Sequence, residues 1–70
     1  MKTLNLKANI NGITISTVYN RFDKVYETLV IEDCSGDELL VLTTTRKTDA
    51  QKNHLLQVVH YSSARNIIHI

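Results

Sequence analysis

Seventy residues with a net charge of +1, one cysteine and no proline make a single small domain, residues 1–70, and the same figures exclude several supports and partners. One cysteine cannot close an intrachain disulfide, three histidines without a cysteine cluster offer no structural metal centre, and a near-neutral charge does not suit a chain built to neutralise phosphates. A domain of this size buries only about 60 % of the surface its unfolded chain exposes, so a second copy or a larger partner becomes the expected source of further stability.

The first element is a hairpin. From Leu4 to Ile10 apolar and polar residues alternate, stop at Asn11-Gly12, and resume from Ile13 to Tyr19. Asn-Gly between alternating runs predicts a type I′ turn, which needs positive φ at both central residues. Strands over 3–10 and 13–19 follow, with Ile10 opposite Ile13, Ala8 opposite Ile15, Leu6 opposite Thr17 and Leu4 opposite Tyr19. Side chains alternate with period two, so these residues share one face, while Asn5, Lys7, Asn9, Thr14, Ser16 and Val18 share the other. One face is dry and one wet, the antiparallel pattern.

Tyr19–Lys24 breaks the alternation and reads as a connection. A second hairpin follows over 25–32 and 39–45, joined by the turn-type cluster Asp33-Cys34-Ser35-Gly36-Asp37-Glu38. A two- or four-residue loop there sets Ile31 opposite Leu40, Leu29 opposite Leu42 and Val30 opposite Val41. This hairpin is apolar on both faces. A helix can cover one face of the sheet; the face with Tyr26, Val30, Leu39 and Val41 is then the expected protein interface, because contiguous exposed apolar area marks interaction surfaces. The alternative is a curved sheet that wraps its own hairpin over that face.

Thr48-Asp49-Ala50-Gln51 has the form of a capping box and opens a predicted helix over 49–64. Leu55, Val58, Val59 and Ser62 fall at i, i+3, i+4 and i+7, the expected packing stripe. Residues 66–70 could add a terminal strand. The fold class is therefore α+β: a small antiparallel sheet of two hairpins with one helix on one face.

The chemistry-bearing residues form no catalytic pattern. The acidic turn 32–38 lacks the ligand order of a calcium loop and reads as a solvated turn. Carboxylates beside Cys34 oppose thiolate formation. His54 and His60, six residues apart, diverge on a helix, and a nuclease-like cleft would need both with Arg46. Two glycines cannot build a phosphate-cradling loop. No enzymatic activity, cofactor or metal is expected. The N-terminus has no apolar signal region and no stretch approaches the ~20 residues that span a bilayer, so a cytoplasmic setting and no membrane partner are expected.

Charge is unevenly spread: +3 over residues 1–22, −5 over 23–38 and +3 over 39–70. Such blocks suit pairing within or between chains. The function expected is a non-enzymatic protein-binding module, homodimeric, acting as an accessory, regulatory or inhibitory protein; a compact, proline-free chain also fits an inhibitor encoded by a phage or plasmid. The alternative is a nucleic-acid-binding regulator that uses Lys7 and the basic cluster Arg46, Lys47 and Lys52, since strand ribbons and helix N-termini both meet phosphates.

Overall fold

The computed structural model of the protein describes residues 3–67. Strands β1 (Asn5–Ile10), β2 (Ile13–Asn20), β3 (Val25–Glu32) and β4 (Glu38–Thr44) form one antiparallel meander in chain order, and helix α1 (Lys47–Ile67) follows. The helix touches all four strands. The domain is thus α+β, a four-stranded sheet with one helix packed on it.

The first hairpin forms in the register its sequence dictates. Asn11 and Gly12 have φ of 52° and 81°, the pair of positive values a type I′ turn requires. Ile10 pairs with Ile13, Ala8 with Ile15 and Leu6 with Thr17, and the Tyr19 N–H donates to the Leu4 carbonyl at 3.3 Å. The turn is anchored on two sides. The Asp33 N–H donates to the Gly12 carbonyl at 2.9 Å, and the Asn11 amide donates to the Tyr61 carbonyl of α1 at 3.3 Å. A Cβ at Gly12 would meet nothing within 4 Å, so an alanine there meets only backbone strain. Gly12→Ala is expected to cost about 1 kcal/mol, read as a lower urea midpoint with unchanged slope.

At the next turn, Asn20 organises the chain: its Oδ1 accepts the N–H groups of Phe22 at 3.0 Å and Asp23 at 3.2 Å. This side-chain mimic of a backbone turn, with Lys24 at a φ of 57°, reverses the chain in four residues. β2 consequently runs to Asn20, one residue beyond the expected strand end.

The second hairpin corrects the expected register. Near the turn, the Glu32 N–H donates to the Asp37 carbonyl at 2.9 Å and Ile31 pairs with Glu38, but Val30 then pairs with Leu40. Leu39 is an extra residue on β4, a bulge, and one extra residue moves every later side chain to the other face. Leu29 therefore meets Val41, and Thr28 meets Leu42. The consequence is large: Leu40 and Leu42 join Val30 and Tyr26 beneath the helix, while Val41 joins Leu29 on the uncovered face.

The helix differs from expectation in three ways. It begins at Lys47, so Thr48 and Gln51 lie inside the first turn, and the expected capping box is not the start; the Ala50 N–H donates to the Arg46 carbonyl at 3.0 Å, and the Arg46 N–H in turn donates to Thr44 Oγ1 at 3.3 Å. Asp49 still sits in the first turn, where the helix dipole favours a negative charge. At the other end α1 continues through residues 66 and 67 rather than giving way to a strand; the rest of that expected strand lies outside the described residues. Third, the helix is rotated. Ala50 is buried and Asn53, His54, Gln57, Val58 and Tyr61 are partly buried, whereas Leu55 and Val59 of the expected packing stripe are exposed.

Candidate functional site

The reason for the rotation lies in the centre of the sheet. Thr17 and Thr28 face each other on β2 and β3, both fully or almost fully buried under α1. Their hydroxyls lie 2.8 Å apart, and Thr17 Oγ1 is 2.9 Å from His54 Nδ1. Two hydroxyls alone leave one O–H without an acceptor, a cost of about 1–3 kcal/mol when buried. His54 Nδ1 extends the chain: with Nδ1 unprotonated it accepts from Thr17, which leaves Thr17 Oγ1 to accept from Thr28. A leucine face laid on the same threonines would supply no acceptor.

Burial lowers the pKa of His54 below its ordinary value. The folded state then binds fewer protons than the unfolded state, so the contribution of neutral His54 is complete above about pH 6.5 and declines on acidification. The urea midpoint is expected to be higher at about pH 7.5 than at about pH 5.5. His54→Gln, which keeps an acceptor but does not titrate, should flatten that part of the dependence.

Rotating the polar stripe inward turns the apolar stripe outward. At 100° per residue, Leu55, Leu56 and Val59 lie opposite Ala50, His54 and Tyr61. They are 62 %, 54 % and 54 % exposed. Across the molecule, the sheet's second face divides in two. Its β1–β2 half carries Asn5, Lys7, Asn9, Thr14 and Ser16, tied together in part by the Asn9–Thr14 hydrogen bond of 2.6 Å and by Thr14 bonding to the Asp33 carboxylate. Its other half, from the end of β2 across β3 to β4, mixes apolar side chains with two glutamates. There Val18, Leu29 and Val41, with Ser16, Glu27 and Glu38, line a shallow groove of about 200 Å³. That is smaller than the roughly 300–1,000 Å³ of ordinary small-molecule pockets, so the groove suits side chains of a protein better than a free ligand.

The four expected interface residues are split by the bulge. Leu39 and Val41 are 47 % and 49 % exposed, on the strand that borders the groove. Tyr26 and Val30, by contrast, are 3 % and 0 % exposed in the core, where Tyr26 packs on Tyr19 with ring centroids 4.8 Å apart. In their place stand Val18 and Leu29, with Leu55 and Leu56 on the helix. An even-numbered alternation along β3 could assign either face to either set; only the bulge, invisible in residue types, decides. The helix stripe was readable from Thr17, a hydroxyl on an otherwise apolar strand face, which calls for a polar partner above it.

The basic residues do not converge. Lys7 is exposed at mid-length on β1, one edge of the sheet, and Arg46 and Lys47 are exposed just beyond β4, the opposite edge; Lys52 is exposed one turn into α1. Three inter-strand spacings, roughly 14 Å, separate the two edges. The histidines also diverge, since His54 points into the sheet and His60 is exposed, stacked edge-on against Tyr61 at 4.9 Å. Cys34 is an exposed thiol in the third turn. Among the described residues no group of three or more His, Cys, Asp or Glu is placed to hold a metal ion, and no helix is long and apolar enough to cross a membrane. Comparison with family models, curated proteins and solved structures finds no match.

Proposed function

We propose that this chain is a small non-enzymatic protein-binding module that forms a homodimer and serves as an accessory, regulatory or inhibitory protein. One observation carries the reading. Among the described residues the buried apolar core is Ile15, Tyr26, Val30 and Ala50, whereas Val18, Phe22, Leu39, Val41, Leu55, Leu56 and Val59 are all exposed. Among the described residues, seven large apolar side chains are exposed and only three are fully buried, the others being partly covered, in a domain whose own core is small. Burial of such area removes roughly 25 cal/mol per Å² of unfavourable hydration, which a lone chain forgoes.

The uncovered surfaces lie on opposite layers. The β3–β4 half of the sheet suits a second copy, and the outer stripe of α1 is left for a protein partner in the manner of an amphipathic helix laid into a groove. Nucleic-acid binding is less well supported, because Lys7 lies on the β1 edge of the sheet, whereas Arg46 follows β4 at the opposite edge and Lys47 and Lys52 belong to α1.

Dimerisation coupled to folding has a direct signature. The urea unfolding midpoint should rise with protein concentration, because mass action favours the state that associates. A midpoint that stays fixed between about 5 µM and about 500 µM would remove the homodimer from this proposal.

A further inference from the structure

We infer that Asn11 is a site of spontaneous deamidation through a succinimide closed with Gly12, and that its acidic products unlatch α1 from the first hairpin. The site needs neither a second copy nor a partner, and is independent of the function proposed above.

The two turn residues carry the reaction. The main-chain nitrogen of Gly12 bonds to Cγ of Asn11, and the Cγ–Nδ2 bond breaks, releasing ammonia. Water then opens the five-membered ring at either carbonyl, giving aspartate or isoaspartate with one new carboxylate. No oxidant, reductant or metal takes part. Asn5, Asn9, Asn20, Asn53 and Asn66 are each followed by a bulky residue that hinders the attacking nitrogen, and only Asn11 precedes a glycine. The fold leaves the site open. Asn11 and Gly12 are both exposed, and nothing stands within 4 Å of the place a Gly12 Cβ would take, so solvent water reaches the ring. The Asn11 amide donates to the Tyr61 carbonyl at 3.3 Å, beyond the ~2.7–3.2 Å usual for such bonds. A bond of that length is weak, and brief local openings let the amide turn toward the Gly12 nitrogen.

The position of the turn makes the product consequential. The Asn11–Tyr61 hydrogen bond ties the tip of the first hairpin to the distal half of α1. A carboxylate has no N–H to give, so attraction to the Tyr61 oxygen becomes repulsion. It also adds a negative charge near Asp33, whose N–H donates to the Gly12 carbonyl at 2.9 Å. The two products then differ. Aspartate keeps the type I′ turn, which Asp-Gly also favours, and loses only the tie to the helix. Isoaspartate routes the main chain through the side-chain methylene, and the extra backbone atom breaks the two-residue loop that fixes the register. The change is one-way: an aged chain holds the distal half of α1 less tightly than a new one.

The unmodified chain, incubated at about 37 °C and about pH 8, tests the site by mass spectrometry. Tryptic peptide 8–21 should gain one mass unit, placed at Asn11 by fragmentation, with part of the product labelled by isoaspartyl methyltransferase. Gly12→Ala, whose methyl meets no neighbour, should slow the gain about ten-fold. After separation by anion exchange, the acidic form should exchange the main-chain hydrogens of 58–62 several-fold faster than the unmodified form, with those around Val30 unchanged. Asn11→Asp should show the same faster exchange in a fresh chain. A gain at Asn11 no faster than at Asn9 or Asn20 would overturn the site. Equal exchange over 58–62 in the acidic and unmodified forms would overturn the unlatching of α1, and no change in Asn11→Asp would overturn the lost hydrogen bond as its cause.

Discussion

Ile15→Ala is expected to abolish cooperative unfolding of the isolated domain. Ile15 is fully buried between Ala8 and Val30 at the middle of the sheet. Truncating a buried isoleucine to alanine costs about 2–5 kcal/mol, because the transfer term is joined by the cavity left behind. A single core in a chain below about 70–80 residues rarely supplies more than about 3–5 kcal/mol. One substitution therefore matches the whole reserve. Circular dichroism against urea should show a broad, non-sigmoidal loss of signal at 25 °C in place of a transition. The contrast with exposed Leu55 is informative, since the same truncation there removes no buried contact within the chain and should move the midpoint little.

Val41→Lys is expected to separate association from folding. Val41 is about half exposed on the edge strand, so a lysine there extends into solvent in the monomer and leaves circular dichroism unchanged. In the proposed two-fold dimer the substitution places two ammonium groups in the seam between the copies. Desolvation and like-charge juxtaposition together cost several kcal/mol, which corresponds to about a 100-fold or greater weakening of the dimer. Leu55→Gln, Leu56→Gln and Val59→Gln combined, which keep good helix formers in place, should leave dimerisation intact. If that triple variant becomes monomeric while Val41→Lys stays dimeric, α1 and not the sheet is the surface on which copies meet.

Local chemistry made the first hairpin legible in full. Asn11-Gly12 selects one turn type, the turn fixes the register, and the register assigns each side chain from Leu4 to Tyr19 to a face. The same alternation failed to orient the second hairpin because Leu39 adds a residue that no pattern of apolar positions reveals. On a strand apolar on both faces, either assignment buries similar side chains, so composition cannot arbitrate. The helix was legible in existence but not in rotation. Leu55, Val58 and Val59 make an apolar stripe, yet only Val58 of the three is partly buried, and the hydrogen-bonding Thr17–Thr28 pair meets His54 at 2.9 Å instead of a leucine. A polar residue on an apolar strand face was the available signal.

These two departures from pattern locate the candidate surface. The bulge sends Val41 outward beside Leu29, and the His54 contact sends Leu55, Leu56 and Val59 outward on the opposite layer. Each buried polar demand or register shift inside the fold leaves apolar area outside it. In the proposed homodimer a second copy covers part of that area, and the helix stripe stays open for a protein partner.

Sedimentation equilibrium of the unmodified chain, from about 1 µM to about 1 mM, tests the homodimer most directly. The apolar surface left uncovered by the fold predicts a mass rising from that of the 8.0 kDa chain to twice that value within this range. A single species at the monomer mass throughout would contradict it.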